Sequence, residues 1–303
     1  MDSTGQRKNM KLAFQEALLN WGRSNLRKYP WREKRTSTYK VLIAELLLKR
    51  TTATAAARIY GIFIKEYPTI HHLVNTDTND LISLLKPIGL SNQRAYTIKE
   101  LAHSLVQYHG GKVPCTSEQL MSLPGIGNYA SRAILSFGYG IPVAVVDGNV
   151  ERVFSRVFQN QWEEDNPNRN SIQEKADELI PSKEHRLFNF TLLDLGALIC
   201  RPAQPYCNKC PLLSICDRAR SHENTTQQKR LQVLRKTRRL SQSTLAVNAQ
   251  VSKMTIINIE AGRTVPRVKT LRKIAEALNV PPQELIDVVI SKTTGQNIMR
   301  VVN

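Results

Sequence analysis

The sequence has no run of 18 uninterrupted apolar residues, so no membrane-spanning helix and no membrane association are expected. Its opening, MDSTGQRKNMKLAFQEALLNWG, lacks the apolar core and small-residue cleavage site of a secretory signal, so a cytoplasmic protein is expected. Acidic residues are few. Against 43 Lys and Arg stand 25 Asp and Glu, a formal charge of +18, and such an excess suits a polyanionic partner because basic clusters neutralise phosphates and release counterions. Charge alone does not prove that the partner is DNA. Cysteine is also scarce and unevenly placed: Cys115 stands apart, while Cys200, Cys207, Cys210 and Cys216 fall in one short segment. In a reducing compartment that crowding favours metal ligation over disulfides. The spacing leaves the metal open, since zinc and a four-thiolate iron–sulfur cluster both accept soft sulfur ligands.

The 303 residues suffice for two or three domains, and no long low-complexity linker separates them. From about Lys11 to Tyr108, apolar residues recur at helical spacing, as in YKVLIAELLLKRTTATAAARIYGIFIKEY and TIKELAHSLVQYHG. PSKEHRLFNFTLLDLGALIC predicts another helix leading into the cysteines. The polar run FQNQWEEDNPNRNSIQ predicts an exposed connection. SHENTTQQKR, after the cysteines, marks the expected boundary of a further region beginning near Glu223.

The stretch LMSLPGIGNYASRAILSFGYGIPVAVVDGNVERV carries the most chemical information. Glu118–Ser122 would end one helix, LPGIG would turn tightly, and NYASRAILSFGYG would begin the next. Gly125 and Gly127 allow close backbone approach, and N–H groups at a helix start can face a phosphate without reading a base. Glycines also occur in such turns for steric reasons alone. Asp147 follows the apolar run IPVAVV and precedes GNVERVFSRVF, which places it at a helix N-terminus, where it can serve as a cap. Beside a phosphate-gripping hairpin, its carboxylate could also stabilise a positively charged sugar or orient water. Glu45 lies on the apolar helix IAELLL, where an ionisable group either emerges at an edge or points into a working cavity.

Together these segments resemble the helix-hairpin-helix base-excision DNA glycosylases, the superfamily that contains endonuclease III and the adenine-mismatch glycosylase. LPGIG matches the hairpin and VDGNVERV the segment that carries the essential aspartate. YPWR at 29–32, Glu45 within IAELLLKRTT, GLSNQRA at 89–95, GGKVP at 110–114 and FNFTLLDLGALIC at 188–200 appear in family order, over roughly residues 11–218. The resemblance implies an all-α, two-lobed core. Residues 32–134 would form a barrel-like helical lobe with the hairpin, and residues 1–31 and 135–222 a second lobe with a cluster loop. The substrate nucleotide would enter the cleft between them.

For the cofactor, the resemblance implies a structural [4Fe-4S] cluster on Cys200, Cys207, Cys210 and Cys216, and a monovalent cation at the hairpin. For the chemistry it assigns Asp147 to stabilising the oxocarbenium-like transition state and Tyr129 to lining the pocket for the flipped nucleotide, while Glu45 matches the glutamate with which adenine-mismatch glycosylases protonate the purine. Adenine- and thymine-mismatch enzymes both admit Glu and Tyr at these positions, so the two residues do not settle the substrate. Family members that cleave the strand carry lysine where this chain has Tyr129, and a phenol cannot form their Schiff base. A monofunctional enzyme that leaves an abasic site is therefore expected. LLLKRTTA and GLSNQRA resemble the microbial thymine-DNA glycosylases acting on T opposite G. Lys49 and Arg50 would then meet the nucleotide opposite the lesion, and Leu90, Ser91, Asn92 and Gln93 would probe or fill the gap left by flipping. The implied partner is double-stranded DNA with a mismatch and the implied setting a prokaryotic nucleoid. The alternatives are an adenine glycosylase acting opposite guanine or oxidised guanine, and a DNA-binding regulator with a degenerate core.

Leu234 to Leu285 resembles the phage-repressor class of helix-turn-helix domain, with landmarks including Leu240, Ser241, Gln242, Val251, Ser252, Gly262, Arg263 and Pro266. Residues 223–303 are assigned to this domain and its tail. Ser241 and Ser252 read as helix caps. Lys253, Met254, Thr255 and Asn258, on the helix after Ser252, would face a DNA groove, and Arg235, Lys236, Arg238 and Arg239 would contact phosphates. A homodimer or a protein contact through this domain is the competing use.

Overall fold

A computed structural model of the chain describes residues 3–34, 36–162, 167–261, 263–264 and 266–285. Gly262 of the repressor-like pattern, residues 163–166 of the polar connection and the tail beyond 285 lie outside the described residues. Among the described residues every regular element is helical, and no helix is long and apolar enough to cross a membrane. The chain divides into two compact units, residues 1–215 and 216–303.

The first unit holds α1 (Ser3–Asn25), α2 (Thr38–Leu48), α3 (Ala53–Glu66), α4 (Ile70–Asn75), α5 (Thr78–Leu85), α6 (Ser91–His109), α7 (Ser117–Met121), α8 (Asn128–Ala133), α9 (Gly148–Val157), α10 (Arg169–Leu179) and α11 (His185–Leu198). Capping fixes many of the starts. Ser37, Thr52, Asp77, Thr116 and Asn168 each accept a backbone N–H from the first turn of the helix that follows. Phe14 of α1 packs against Phe154 of α9 and Phe188 of α11 at centroid distances of 5.7 and 6.0 Å. All three rings are fully buried, so this aromatic cluster ties the N-terminal helix to two helices more than 130 positions later in sequence.

Two segments differ from expectation. The polar run after Phe158 is not wholly a connection: α10 begins inside it, because Asn168 caps it and Ile172, Ala176 and Leu179 supply a buried stripe. The helix after the hairpin is short, since α8 widens into a π-helical turn at Ile134–Gly138. That turn carries Phe137, which stacks on Phe190 of α11 at 4.1 Å.

IPVAVV belongs to no helix or sheet, so side chains satisfy much of its backbone. Asn189 accepts the Val145 N–H at 3.1 Å and donates to the Val143 carbonyl at 2.9 Å. Asp177 accepts the Ala144 N–H at 3.0 Å, and Arg132 donates to the Ala144 carbonyl at 2.7 Å. These bonds deliver Asp147 to the start of α9. There α11 passes so close that a Cβ on Gly196 would stand 2.7 Å from the Asn149 Cβ.

In the second unit, α12 (Asp217–Thr237), α13 (Gln242–Asn248), α14 (Lys253–Glu260), α15 (Val268–Ala277) and α16 (Pro282–Leu285) surround a core that includes Leu245, Ile256, Ile259, Ile274 and Leu278. The SHENTTQQKR run is helical and lies within α12. Ser241 and Ser252 cap α13 and α14, each accepting an N–H at 3.0 Å. Arg235 is not a phosphate contact. It is buried and pairs with Glu260 through bonds of 2.6 and 2.9 Å, while Gln242 donates to the same carboxylate at 2.8 Å. Those hydrogen bonds outweigh the burial of Glu260 and hold its carboxyl below the usual range.

Candidate active site

Glu45, Tyr129 and Asp147, far apart in sequence, line one cavity of about 500 Å³, together with Trp31, Arg32, Phe137 and Phe190. A cavity of that size suits a small organic ligand. Each acid arrives differently. Glu45 sits in the middle of α2, where residues 41–47 are all buried, so its carboxyl is taken from water by the helix packing itself. Asp147 caps α9. Its Oδ1 accepts N–H bonds from Asn149 and Val150 at 2.9 and 2.8 Å, and its Oδ2 accepts the Asn149 side-chain amide at 3.0 Å. The cap fixes the carboxylate beside the cavity.

Burial pushes the Glu45 carboxyl up to about 8, with Arg32 opposing and Asp147 adding to the shift. Glu45 is therefore mostly protonated at neutral pH. Burial, reinforced by Glu45 and Asp147, holds the Tyr129 phenol well above its usual value, so it stays neutral. The folded state keeps the Glu45 proton that an unfolded chain releases near 4.5, so stability from this residue is complete below 4.5 and is lost as pH rises through about 8. Glu45→Gln should remove that part of the slope. Urea midpoints at pH 5, 6.5 and 8 test this, and parallel curves for both proteins would refute it.

Arg32 comes from the YPWR stretch, and its role follows from a partner not anticipated in sequence. Asp194 of α11 has a fully buried side chain and accepts from both Arg32 and Arg27 at 2.7 Å. The Arg32 guanidinium also lies 4.5 Å from the Phe190 ring centre, and its buried Nε has no hydrogen-bond partner. A cation pinned by a carboxylate and backed by an aromatic ring makes a rigid donor wall. The sequence offered one signal for this pair: charged residues within otherwise apolar surroundings, in YPWR and LLDLGAL.

The hairpin forms as expected. Leu123 and Ile126 are buried, the Ile126 N–H bonds the Leu123 carbonyl at 3.2 Å, and Gly127 precedes α8. Gly125 has φ +80°, and a Cβ there would fall 2.5 Å from the Thr97 Cγ2, so both conformation and space demand glycine. Lys49, Arg50, Leu90, Asn92 and Gln93 are exposed and Ser91 is half-buried. Lys49, Arg50, Leu90 and Gln93 line a second, smaller cavity of about 120 Å³. In the second unit, Lys253 and Met254 are exposed at the start of α14, and Thr255 and Asn258 are half-buried.

The cofactor expectation is corrected. Among the described residues no group of three or more His, Cys, Asp or Glu side chains is placed to hold a metal ion. Cys200, Cys207, Cys210 and Cys216 therefore do not form the ligand set of a [4Fe-4S] cluster, and no such group marks a cation at the hairpin. Spacing along a chain does not fix where sulfur atoms point. The Cys200 sulfur instead accepts an Arg156 N–H at 3.4 Å, and its carbonyl accepts from Arg152 at 2.8 Å. Arg156 also donates to the Arg201 and Pro202 carbonyls at 2.7 Å, so arginines staple the loop after α11.

Comparison with known proteins agrees with this geometry. Residues 43–182 match the HhH-GPD superfamily base excision DNA repair protein, and residues 231–285 match the helix-turn-helix family. The chain is 36% identical over 215 residues to a thymine/uracil-DNA glycosylase of Methanothermobacter thermautotrophicus, covering 71% of this chain and 96% of that one. It is 34% identical over 213 residues to an adenine DNA glycosylase of Buchnera aphidicola, covering 68% of this chain but 58% of that relative. The solved structure of a thermostable thymine-DNA glycosylase superposes with a TM-score of 0.67 at 35% identity, covering 72% of this chain and 99% of that one. The chain belongs to the helix-hairpin-helix base-excision DNA repair superfamily and carries a C-terminal helix-turn-helix domain.

Proposed function

We propose that the protein is a monofunctional DNA glycosylase that flips thymine or uracil opposite guanine into the 500 Å³ cavity and hydrolyses its N-glycosidic bond. The observation that carries the reading is the lining of that cavity: a mostly protonated Glu45, Asp147, and a tyrosine rather than a lysine at 129. The C1′–N1 bond breaks with its electron pair leaving on the base, and Glu45 supplies a proton to the departing pyrimidine. The Asp147 carboxylate stabilises positive charge at C1′ and orients a water, whose oxygen bonds to C1′ as its proton passes to that carboxylate and then to solvent, from which Glu45 is reprotonated. Tyr129 closes the wall without forming a covalent link, so the product is an abasic site in an uncut strand. Similarity over 96% of the thymine/uracil-DNA glycosylase, against 58% of the adenine relative, supports pyrimidine over adenine.

In the second unit, Lys253, Thr255 and Asn258 face the duplex and set its flanking preference. Single-turnover excision from matched duplexes tests both assignments. T or U opposite G should leave faster than A opposite G or oxidised G, and Thr255→Ala and Asn258→Ala should shift flank preference without changing which base leaves. Excision of A with no release of T or U would move the protein to the adenine reading, which the Buchnera aphidicola relative favours.

A further inference from the structure

Two turns beside the second cavity hold non-glycine residues in the left-handed region: Arg50 at φ 55° and Leu90 at φ 53°. Such conformations persist only where surroundings impose them. One buried guanidinium reaches both turns, that of Arg94 on the first turns of α6. Its Nε donates to the Gly89 carbonyl at 3.0 Å and its Nη1 to the Leu46 carbonyl at 2.8 Å. Its Nη2 donates at 2.5 Å to both the Lys49 carbonyl and the Thr51 hydroxyl. Thr51 in turn donates to the Ile88 carbonyl at 3.4 Å, closing the link between the turns.

None of these acceptors is a carboxylate, so the fork serves backbone geometry and not charge pairing. We propose that Arg94 is a positioning residue that locks the turn bearing Arg50 to the turn bearing Leu90 at a fixed spacing. The inference rests on the glycosylase reading, in which Leu90 fills the gap left by the flipped nucleotide and Arg50 meets the nucleotide opposite. Arg94 then acts on mismatch recognition through these two residues and touches no reacting atom. A lysine in its place offers a single nitrogen and cannot span the four acceptors.

The test compares the full-length wild type with Arg94→Met and Arg94→Lys. Hydrogen exchange should show residues 49–52 and 88–91 losing protection together by on the order of tenfold or more while α1, α9 and α11 keep theirs, with the lysine variant intermediate. Excision of U opposite G should slow about 30- to 100-fold, the scale expected for ~1 Å of misplacement, while excision of U from a single strand stays within about threefold. Adding Leu90→Ala to Arg94→Met should slow the duplex reaction by less than about twofold more, because both changes disable one device. Unchanged exchange at the two turns, or protection lost evenly across the first unit, would overturn the clamp, as would equal slowing on duplex and single strand. If wild-type protein released no base from either DNA, the glycosylase reading would fall, and exchange at the two turns would still decide whether Arg94 joins them.

Discussion

Asp147→Asn should still bind a duplex containing a G:U pair yet remove the uracil roughly 10²–10³ times more slowly, the scale lost with one preorganised electrostatic partner in an active site. The substitution separates two duties that the structure puts on one side chain. An asparagine oxygen can go on accepting the Asn149 and Val150 N–H groups, so the cap on α9 and the fold around it should survive. What disappears is the negative charge facing the cavity. The side-chain amide of Asn149 then meets the new amide where it met a carboxylate oxygen, a local cost far smaller than the loss of rate. Binding by titration and excision by single turnover, on the same protein, give the answer. Excision at the wild-type rate would reduce Asp147 to a helix cap.

Asp194→Asn should have the largest effect on stability. The Asp194 side chain is fully buried, and its two oxygens receive both guanidinium groups and the Arg27 backbone N–H at 2.7 Å. Removing one charge from such an assembly leaves the others without compensation, which typically costs about 3–5 kcal/mol. For a unit of this size that corresponds to a fall of roughly 6–20 °C in the midpoint of thermal unfolding. Arg27 is more exposed than Arg32, so it can turn toward water and recover part of its share. Arg32 has less freedom, and its displacement should carry into the cavity it lines. Calorimetry measures the first effect. A midpoint within about 2 °C of wild type would show that the arginines are not held by this carboxylate.

Much of the site was legible because its residues carry local signals. Asp147 announces itself as a cap by the apolar run before it and the helical spacing after it, and Gly125 marks a turn no other residue fits. Glu45 stands out as an acid among leucines. Arg94 and Asn189 gave no comparable signal, since each bonds backbone about 45 positions away, and the acid within LLDLGAL did not disclose that Asp194 binds two arginines 162 and 167 positions earlier. Arg235 misled for the same reason: it sits in a basic run, yet Glu260 on another helix claims it. The cysteines misled most, because order along the chain was taken for convergence in space.

The sequence by itself determined that the protein is helical, basic, provided with a glycine hairpin between two helices and followed by a repressor-like domain. It could do so because periodicity, caps, turns and net charge are properties of neighbouring residues or of the whole composition. Tertiary structure decided which acids share a cavity, that one of them stays protonated at neutral pH, and that buried arginines order the turns and walls around it. Burial and electrostatic coupling depend on distances between residues remote in sequence, and only the packed chain sets those distances.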